Sequence, residues 1–130
     1  MSAISADQAT DLARQFKAAA IALGKYQLDH WDELPEADKT KLSDFEYTLL
    51  DYSQNLITYA VGTLLDDAQA SLADIEQATA EANRSLNQID NVKNAIRIAA
   101  ALVSLGAAIY TGDVERIVDA VKGVTGAVVN

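Results

Sequence analysis

A chain of 130 residues with 50% apolar side chains and a single proline is long enough to bury the core of one domain, and this composition excludes general disorder. Its net charge of −9 argues against a nucleic-acid ligand, which needs a clustered basic face, and against electrostatic docking to an anionic membrane. The absence of cysteine excludes disulfides, thiol catalysis and Cys-ligated zinc.

The first predicted helix begins at Ser5, because Ser5 and Gln8 have the spacing of a capping box. Apolar side chains then recur in steps of three and four, at Ala9, Leu12, Phe16, Ala19, Leu23 and Tyr26. The same spacing passes through Gly24, so we expect the helix to continue to about Asp29.

The second predicted helix runs from about Pro35 to Leu65, since proline is tolerated in a first helical turn. Its apolar stripe consists of Leu42, Phe45, Leu49, Tyr52, Leu56 and Tyr59. Ser43 and Glu46 have the spacing of a second capping box. A start at Ser43, after a separate short turn over 36–41, is therefore an open alternative.

The third predicted helix has a heptad rhythm typical of a coiled coil, kept up for about thirty residues. Its stripe contains Leu72, Ile75, Thr79, Ala82, Leu86, Ile89, Ile96, Ala100 and Val103. The stripe is out of phase with that of the second helix, which favours a turn at Asp66 and Asp67 with an aspartate as N-cap. A continuous helix through 62–71 stays open, as does a second break near 87–91, where Asn and Asp cluster.

Thr111, Gly112 and Asp113 mark the clearest helix boundary, because glycine suits the left-handed position after a helix and aspartate suits an N-cap. A fourth helix follows with one apolar face, formed by Val114, Ile117, Val118, Val121, Val124 and Val128. No segment shows the alternation of a strand. The sequence therefore predicts an all-α fold with residues 1–130 as a single domain, an antiparallel helical bundle of three to four long helices with a short C-terminal helix.

The side chains that carry catalysis or bind metals are scarce in this sequence. His30 is the only histidine and lies in a predicted polar loop, whereas a zinc site takes three or four ligands, mostly His and Cys. A di-iron centre and a Ser-His-Asp triad are disfavoured for the same reason. We therefore expect no enzymatic activity, no metal site and no cofactor.

A charge-free run of thirteen residues, 98–110, is the most distinctive segment of the chain. It is shorter than the roughly twenty residues of a membrane-spanning helix. Ala100, Ser104 and Ala108 form a ladder of small side chains that lets another backbone approach closely. Three interpretations stay open: the central helix of the bundle, a self-association interface, or part of an apolar hairpin over 95–129 that enters a membrane.

The leading hypothesis is a non-enzymatic helical-bundle interaction protein that self-associates or holds a partner helix. The residues expected at its interface are Ala100, Ser104, Gly106, Ala108, Ile117 and Val121. The alternative is a membrane-active or pore-forming component with a concealed apolar hairpin at 95–129. The expected partner is a protein or a second copy, with a membrane less favoured. The N-terminal residues lack the pattern of a signal peptide, which predicts a cytoplasmic location and leaves secretion without a cleaved signal open.

Overall fold

The computed structural model describes residues 2–65, 71–89 and 91–129, and the all-α class is confirmed. The described residues contain five α-helices: α1 (Ala6–Asp29), α2 (Glu36–Ala60), α3 (Leu72–Leu86), α4 (Val92–Thr111) and α5 (Val114–Val129). A short 3-10 turn, Trp31–Glu33, connects α1 to α2, and two short strands, β1 (Ser2–Ala3) and β2 (Leu64–Leu65), form one antiparallel pair.

The start of α1 is the capping box that the sequence predicts. The Ser5 hydroxyl accepts a hydrogen bond from the Gln8 backbone N–H at 3.2 Å, and the Gln8 side chain accepts one from the Ser5 N–H at 2.9 Å. These two bonds satisfy backbone donors that the first turn of a helix leaves unpaired. The helix continues through Gly24 and ends at Asp29, as predicted.

The second helix begins directly after Pro35, as predicted, but its C-terminal end differs from the prediction. It ends at Ala60 rather than Leu65, because the chain turns at Gly62, whose φ of +84° lies in the left-handed region that glycine adopts readily. The alternative start at Ser43 is wrong, since the helix already runs from Glu36. The Ser43 hydroxyl instead accepts a hydrogen bond of 2.8 Å from the buried Gln27 side chain of α1.

The expectation of no strand is wrong for two very short segments. Strand β1 pairs with β2, and the pairing continues at Ile4, which donates its N–H to Thr63 O at 3.0 Å and accepts from the Gly62 N–H at 2.8 Å. The Ile4 side chain is buried in the core. Segments of two residues are too short for the alternation from which a strand is predicted.

The long third helix of the prediction is two helices, α3 and α4, and the second break near 87–91 is confirmed. The N-cap of α3 is Ser71, whose hydroxyl accepts from the Asp74 N–H at 3.1 Å, so the predicted aspartate N-cap is wrong. The proposed turn residues Asp66 and Asp67 lie outside the described residues. Since β2 and then Ser71 precede α3, a continuous helix through 62–71 is also excluded.

The boundary between α4 and α5 lies where the sequence places it. Gly112 has a φ of +69° and donates its N–H to the Ala108 and Ile109 carbonyls. The Asp113 carboxylate accepts from the Glu115 N–H at 3.0 Å and so caps α5. The two apolar helices therefore form a tight hairpin.

The five helices form a closed ring of neighbours. Helix α1 packs against α2 and α3, α4 packs against α2 and α5, and α5 packs against α3. Helices α1 and α2 are antiparallel, since Phe16 meets Tyr52 while Gln27 meets Ser43. Helices α1 and α3 run in the same direction. Asp11, near the start of α1, lies close to Ala73 at the start of α3, and His30, at the end of α1, lies close to Asn87 at the end of α3. The contact between Gln15 and Asn83 lies between these two ends.

Helices α2 and α4 approach each other closely where Tyr52 of α2 lies against Gly106 of α4. A Cβ atom at Gly106 would lie 2.3 Å from the Tyr52 ring, nearer than side-chain atoms can pack. The Tyr52 hydroxyl donates a hydrogen bond of 3.1 Å to the Val103 carbonyl oxygen of α4. Phe16 of α1 meets the same ring edge-on, with 5.7 Å between the ring centroids. One phenol ring therefore joins three helices.

Replacing Gly106 with alanine should lower the free energy of unfolding by about 1–3 kcal/mol, because the added methyl group displaces the Tyr52 ring. Gly123→Ala in α5 is the matched control. Nothing lies within 4 Å of a Cβ there, so stability should stay the same or rise by up to about 1 kcal/mol through helix propensity. Urea unfolding followed by circular dichroism gives both values. Equal stability of Gly106→Ala and the wild type would contradict the packing described here.

Candidate functional site

The junction between α1 and α2 contains the only histidine of the chain. His30 Nδ1 lies 3.0 Å from a Glu33 carboxylate oxygen, and its ring packs on Tyr26 with 4.4 Å between the ring centroids. The Lys39 ammonium lies 4.3 Å from the centre of the Trp31 ring. Within the part of the chain that the structure describes, no group of three His, Cys, Asp or Glu side chains is placed to hold a metal ion.

A cluster of aromatic side chains joins α2 to α4. Tyr110 contacts both Tyr52 and Tyr59, with ring centroids 5.2 and 4.6 Å apart. Burial, followed by the nearby negative charge of Asp51, raises the pKa of Tyr52 above its ordinary value. The same two causes, with smaller contributions from Tyr52 and Tyr59, raise the pKa of Tyr110. Both phenols are therefore protonated at neutral pH, where they pack and donate hydrogen bonds but do not act as bases.

The raised pKa values of these tyrosines predict how stability changes in alkaline solution. A group with a higher pKa in the folded state stabilises the fold fully below its ordinary pKa, 10.0 for tyrosine, and this stabilisation is lost as the pH rises through the higher value. The free energy of unfolding should therefore fall above about pH 10. Denaturant unfolding measured across this pH range should show that the free energy of unfolding falls less steeply in Tyr52→Phe than in the wild type. Identical pH dependence in the two proteins would contradict the assignment.

The outer side of the α4–α5 hairpin contains a groove of about 520 Å³. Its walls are small side chains with one cation and one carboxylate, namely Ala101, Ser104, Ala107, Ala108, Thr111, Arg116, Asp119, Ala120 and Gly123. A groove lined by such short side chains admits the backbone of another helix at close range.

The structure brings together two of the six predicted interface residues in this groove, Ser104 and Ala108. Val121 lines a separate groove of about 330 Å³ between α3 and α5. Gly106 and Ile117 are buried within the chain, where Gly106 faces Tyr52. The remaining residue, Ala100, is half-buried. The predicted set is therefore not one continuous surface.

Helix α4 is, among the described residues, the one helix that is long and apolar enough to cross a membrane. Its twenty residues include Lys93 and Arg97 near the N-terminal end. The helix extends beyond the charge-free residues 98–110, so the expectation that this segment is too short to cross a membrane is wrong. Less than half of its most apolar stretch is buried. Core helices of water-soluble bundles have the same length and composition, so this property alone decides little.

A second surface, absent from the sequence-based prediction, covers the outer sides of α1 and α2. It carries the three most exposed large apolar side chains of the described residues: Leu28 is 78% exposed, Tyr47 76% and Ile21 60%. We define the α1–α2 face as the exposed residues Arg14, Lys17, Ile21, Lys25 and Leu28 of α1 with Asp44, Tyr47 and Asp51 of α2. Within each helix these residues are three or four positions apart and therefore share one side.

The charges on the α1–α2 face are separated by helix. No carboxylate occurs between Asp11 and Asp29 of α1, so its exposed side is basic, whereas α2 carries the exposed Asp44 and Asp51 around Tyr47, with the exposed Lys41 one turn before Asp44. Among the described residues, no salt bridge involves the four charged side chains that flank Ile21 and Tyr47. The spacing of the α1 cations Arg14, Lys17 and Lys25, which are three and eight residues apart, is visible in the sequence, but the sequence does not reveal that they lie outside the core.

Comparison with known proteins identifies no relative of this chain. No family model, no curated protein and no solved structure matches it. Any function assigned to the chain therefore rests on its own surfaces: the α4–α5 groove, the apolar helix α4 and the α1–α2 face.

Proposed function

We propose that this chain is a non-enzymatic interaction protein that self-associates through the α1–α2 face. The observation that carries this proposal is the exposure of Ile21, Leu28 and Tyr47 on one side of two neighbouring helices. Burying each such side chain contributes about 1.5–3 kcal/mol, so a second copy covering the face gains a substantial driving force. Single exposed apolar residues are common on proteins, whereas a group of three framed by charges is typical of an interface.

The α4–α5 groove is the weaker candidate for the same role. Its exposed apolar groups are mainly alanine methyls, so a partner would bury little area per contact. Most of the binding energy at protein interfaces comes from a few large side chains, Tyr, Trp and Arg above all. The α1–α2 face presents Tyr47 and also Arg14, which lies 3.6 Å from Asp11 within the chain. The groove presents only Arg116 of this class, at 3.9 Å from Asp113 within the chain.

The chemistry of the side chains supports a non-enzymatic role. His30 lies beside Glu33 in a helix junction and not beside a nucleophile. The two tyrosines with a raised pKa are protonated at neutral pH. The grooves of the described residues are open, whereas catalytic groups act best where water is excluded.

Self-association should appear as a molecular mass above that of the monomer in light scattering at high protein concentration, falling on dilution. Ile21→Ser with Leu28→Ser should shift this transition to higher concentration without loss of helical signal, because both side chains are exposed in the single chain. Val61→Ser is the control, since Val61 is also exposed but lies outside the face. Ala107→Glu tests the groove and should leave the mass unchanged.

Two outcomes would contradict this proposal. A wild-type chain that stays monomeric at every concentration would remove self-association altogether. A mass that responds to Ala107→Glu but not to the Ile21 and Leu28 substitutions would move the interface to the α4–α5 groove.

A second candidate function is membrane activity of the α4–α5 hairpin, favoured by the length and composition of α4. Opposing it, Tyr52 donates a hydrogen bond to the α4 backbone, and α5 carries Asp113, Glu115 and Asp119 at its N-terminal half. Moving these carboxylates into hydrocarbon is costly while they are ionised. The hairpin would have to leave the bundle first.

We expect no release of dye from vesicles of anionic lipid at neutral pH, because the −9 charge opposes approach and the hairpin is packed against α2 and α3. A fluorescence leakage assay measures this directly, and a repeat in acid tests whether neutralised carboxylates free the hairpin. Release at neutral pH would place membrane activity ahead of self-association.

A further inference from the structure

We infer that the second copy docks on the α1–α2 face about a two-fold axis parallel to these helices, so that α1 of each copy lies on α2 of the other. This inference rests on the proposed self-association and adds its symmetry and register. It follows from the charges of the face and from the register between α1 and α2 within one chain, that is, from which residues of the two helices lie at the same height along the helix axes.

The register between α1 and α2 is fixed by three contacts inside the chain. Phe16 meets Tyr52, a Cβ at Gly24 would meet the Glu46 carboxylate at 3.0 Å, and the Gln27 side chain donates to Ser43. A step forward along α1 therefore corresponds to a step back along α2, and the three contacts agree on the register to within two residues. On this scale Lys17 is level with Asp51, Ile21 with Tyr47, and Lys25 with Asp44.

A rotation about an axis parallel to the helices leaves every residue at its own height. Residues of α1 and α2 that lie at the same height within one chain therefore also lie at the same height when α1 of one copy faces α2 of the other. Lys17 then faces the partner's Asp51, and Lys25 faces the partner's Asp44. Between these pairs Ile21 faces the partner's Tyr47, so that apolar surface meets apolar surface inside a frame of opposite charges. Because a two-fold interface is isologous, every pair occurs twice.

The other two-fold arrangement of the same face is disfavoured by charge. An axis in the plane of the interface but perpendicular to the helices would place α1 on α1 and α2 on α2. Lys17 would then face the partner's Lys25, and Asp44 would face the partner's Asp51. Like charges held together at an interface oppose association, whereas complementary ones select the register. The position of Lys17 and Lys25 on α1 and of Asp44 and Asp51 on α2 thus favours the axis parallel to the helices over the perpendicular one.

Charge reversal tests the inference in solution. Lys17→Glu should weaken dimerisation about tenfold or more at low ionic strength, because the symmetry converts two attractive pairs into two repulsive ones. Asp51→Lys should do the same, and the double variant, Lys17→Glu with Asp51→Lys, should recover most of the loss. Lys93→Glu is the matched control for Lys17→Glu, since Lys93 is exposed at the start of α4 and its replacement lowers the net charge by the same amount. Sedimentation equilibrium measures all four dissociation constants.

Cysteine cross-linking tests the register directly, because the chain contains no cysteine of its own. A disulfide forms only when the two Cα atoms are within about 7 Å, so it reports close apposition. Chains with Ile21→Cys mixed with chains with Tyr47→Cys should give a cross-linked dimer on mild oxidation, whereas Ile21→Cys alone should not. Cross-linking of Ile21→Cys to itself would indicate the perpendicular axis.

The results separate this inference from the function on which it rests. A dimer that is indifferent to charge reversal, or that cross-links through Ile21→Cys alone, would overturn the parallel axis and leave self-association in place. A wild-type chain that stays monomeric would overturn both. Recovery of dimerisation in the double charge-reversal variant, together with cross-linking only in the mixture, would establish the arrangement.

Discussion

The contact between Tyr52 and Gly106 sets how closely the two halves of the chain approach each other. Because glycine has no side chain, the phenol ring reaches the surface of α4, and its hydroxyl bonds to the Val103 carbonyl. Phe16 brings α1 to the same ring. Helix α5 follows α4 after the turn at Gly112 and packs against both α4 and α3. The Tyr52 ring thus joins α1, α2 and α4, and α3 and α5 complete the ring of helices through their own packing.

This packing explains why the two halves of the chain differ so much in composition. Helix α4 contributes Leu102, Leu105 and Ile109 to the core together with many small residues, whereas the buried aromatic side chains of the described residues, Phe16, Tyr26 and Tyr52, all lie on α1 and α2. The same two helices nevertheless expose Ile21, Leu28 and Tyr47 on their outer sides. Helices that are apolar on two sides are suited to being covered on both. Among the described residues, the exposed large apolar side chains all lie in the first half of the chain.

Net charge describes this protein less well than the distribution of its charges. A value of −9 suggests a basic partner, yet the exposed side of α1 is itself basic and lies next to an acidic α2. A face with both signs in separate rows is complementary to a rotated copy of itself. The whole-chain average conceals this property, since most of the remaining carboxylates lie on other helices and connections.

The sequence by itself determined the helical class and the local boundaries that depend on neighbouring residues. The Ser5–Gln8 capping box and the Gly112 turn are decided within one helical turn, where side chain and backbone interact directly. Tertiary structure alone decided that Gly106 accommodates a ring from α2, that β1 pairs with β2, and that α1, with its exposed cations, packs against α2, with its exposed carboxylates. These relations join residues far apart in the chain, and periodicity within a helix shows which residues share a side but not what that side faces.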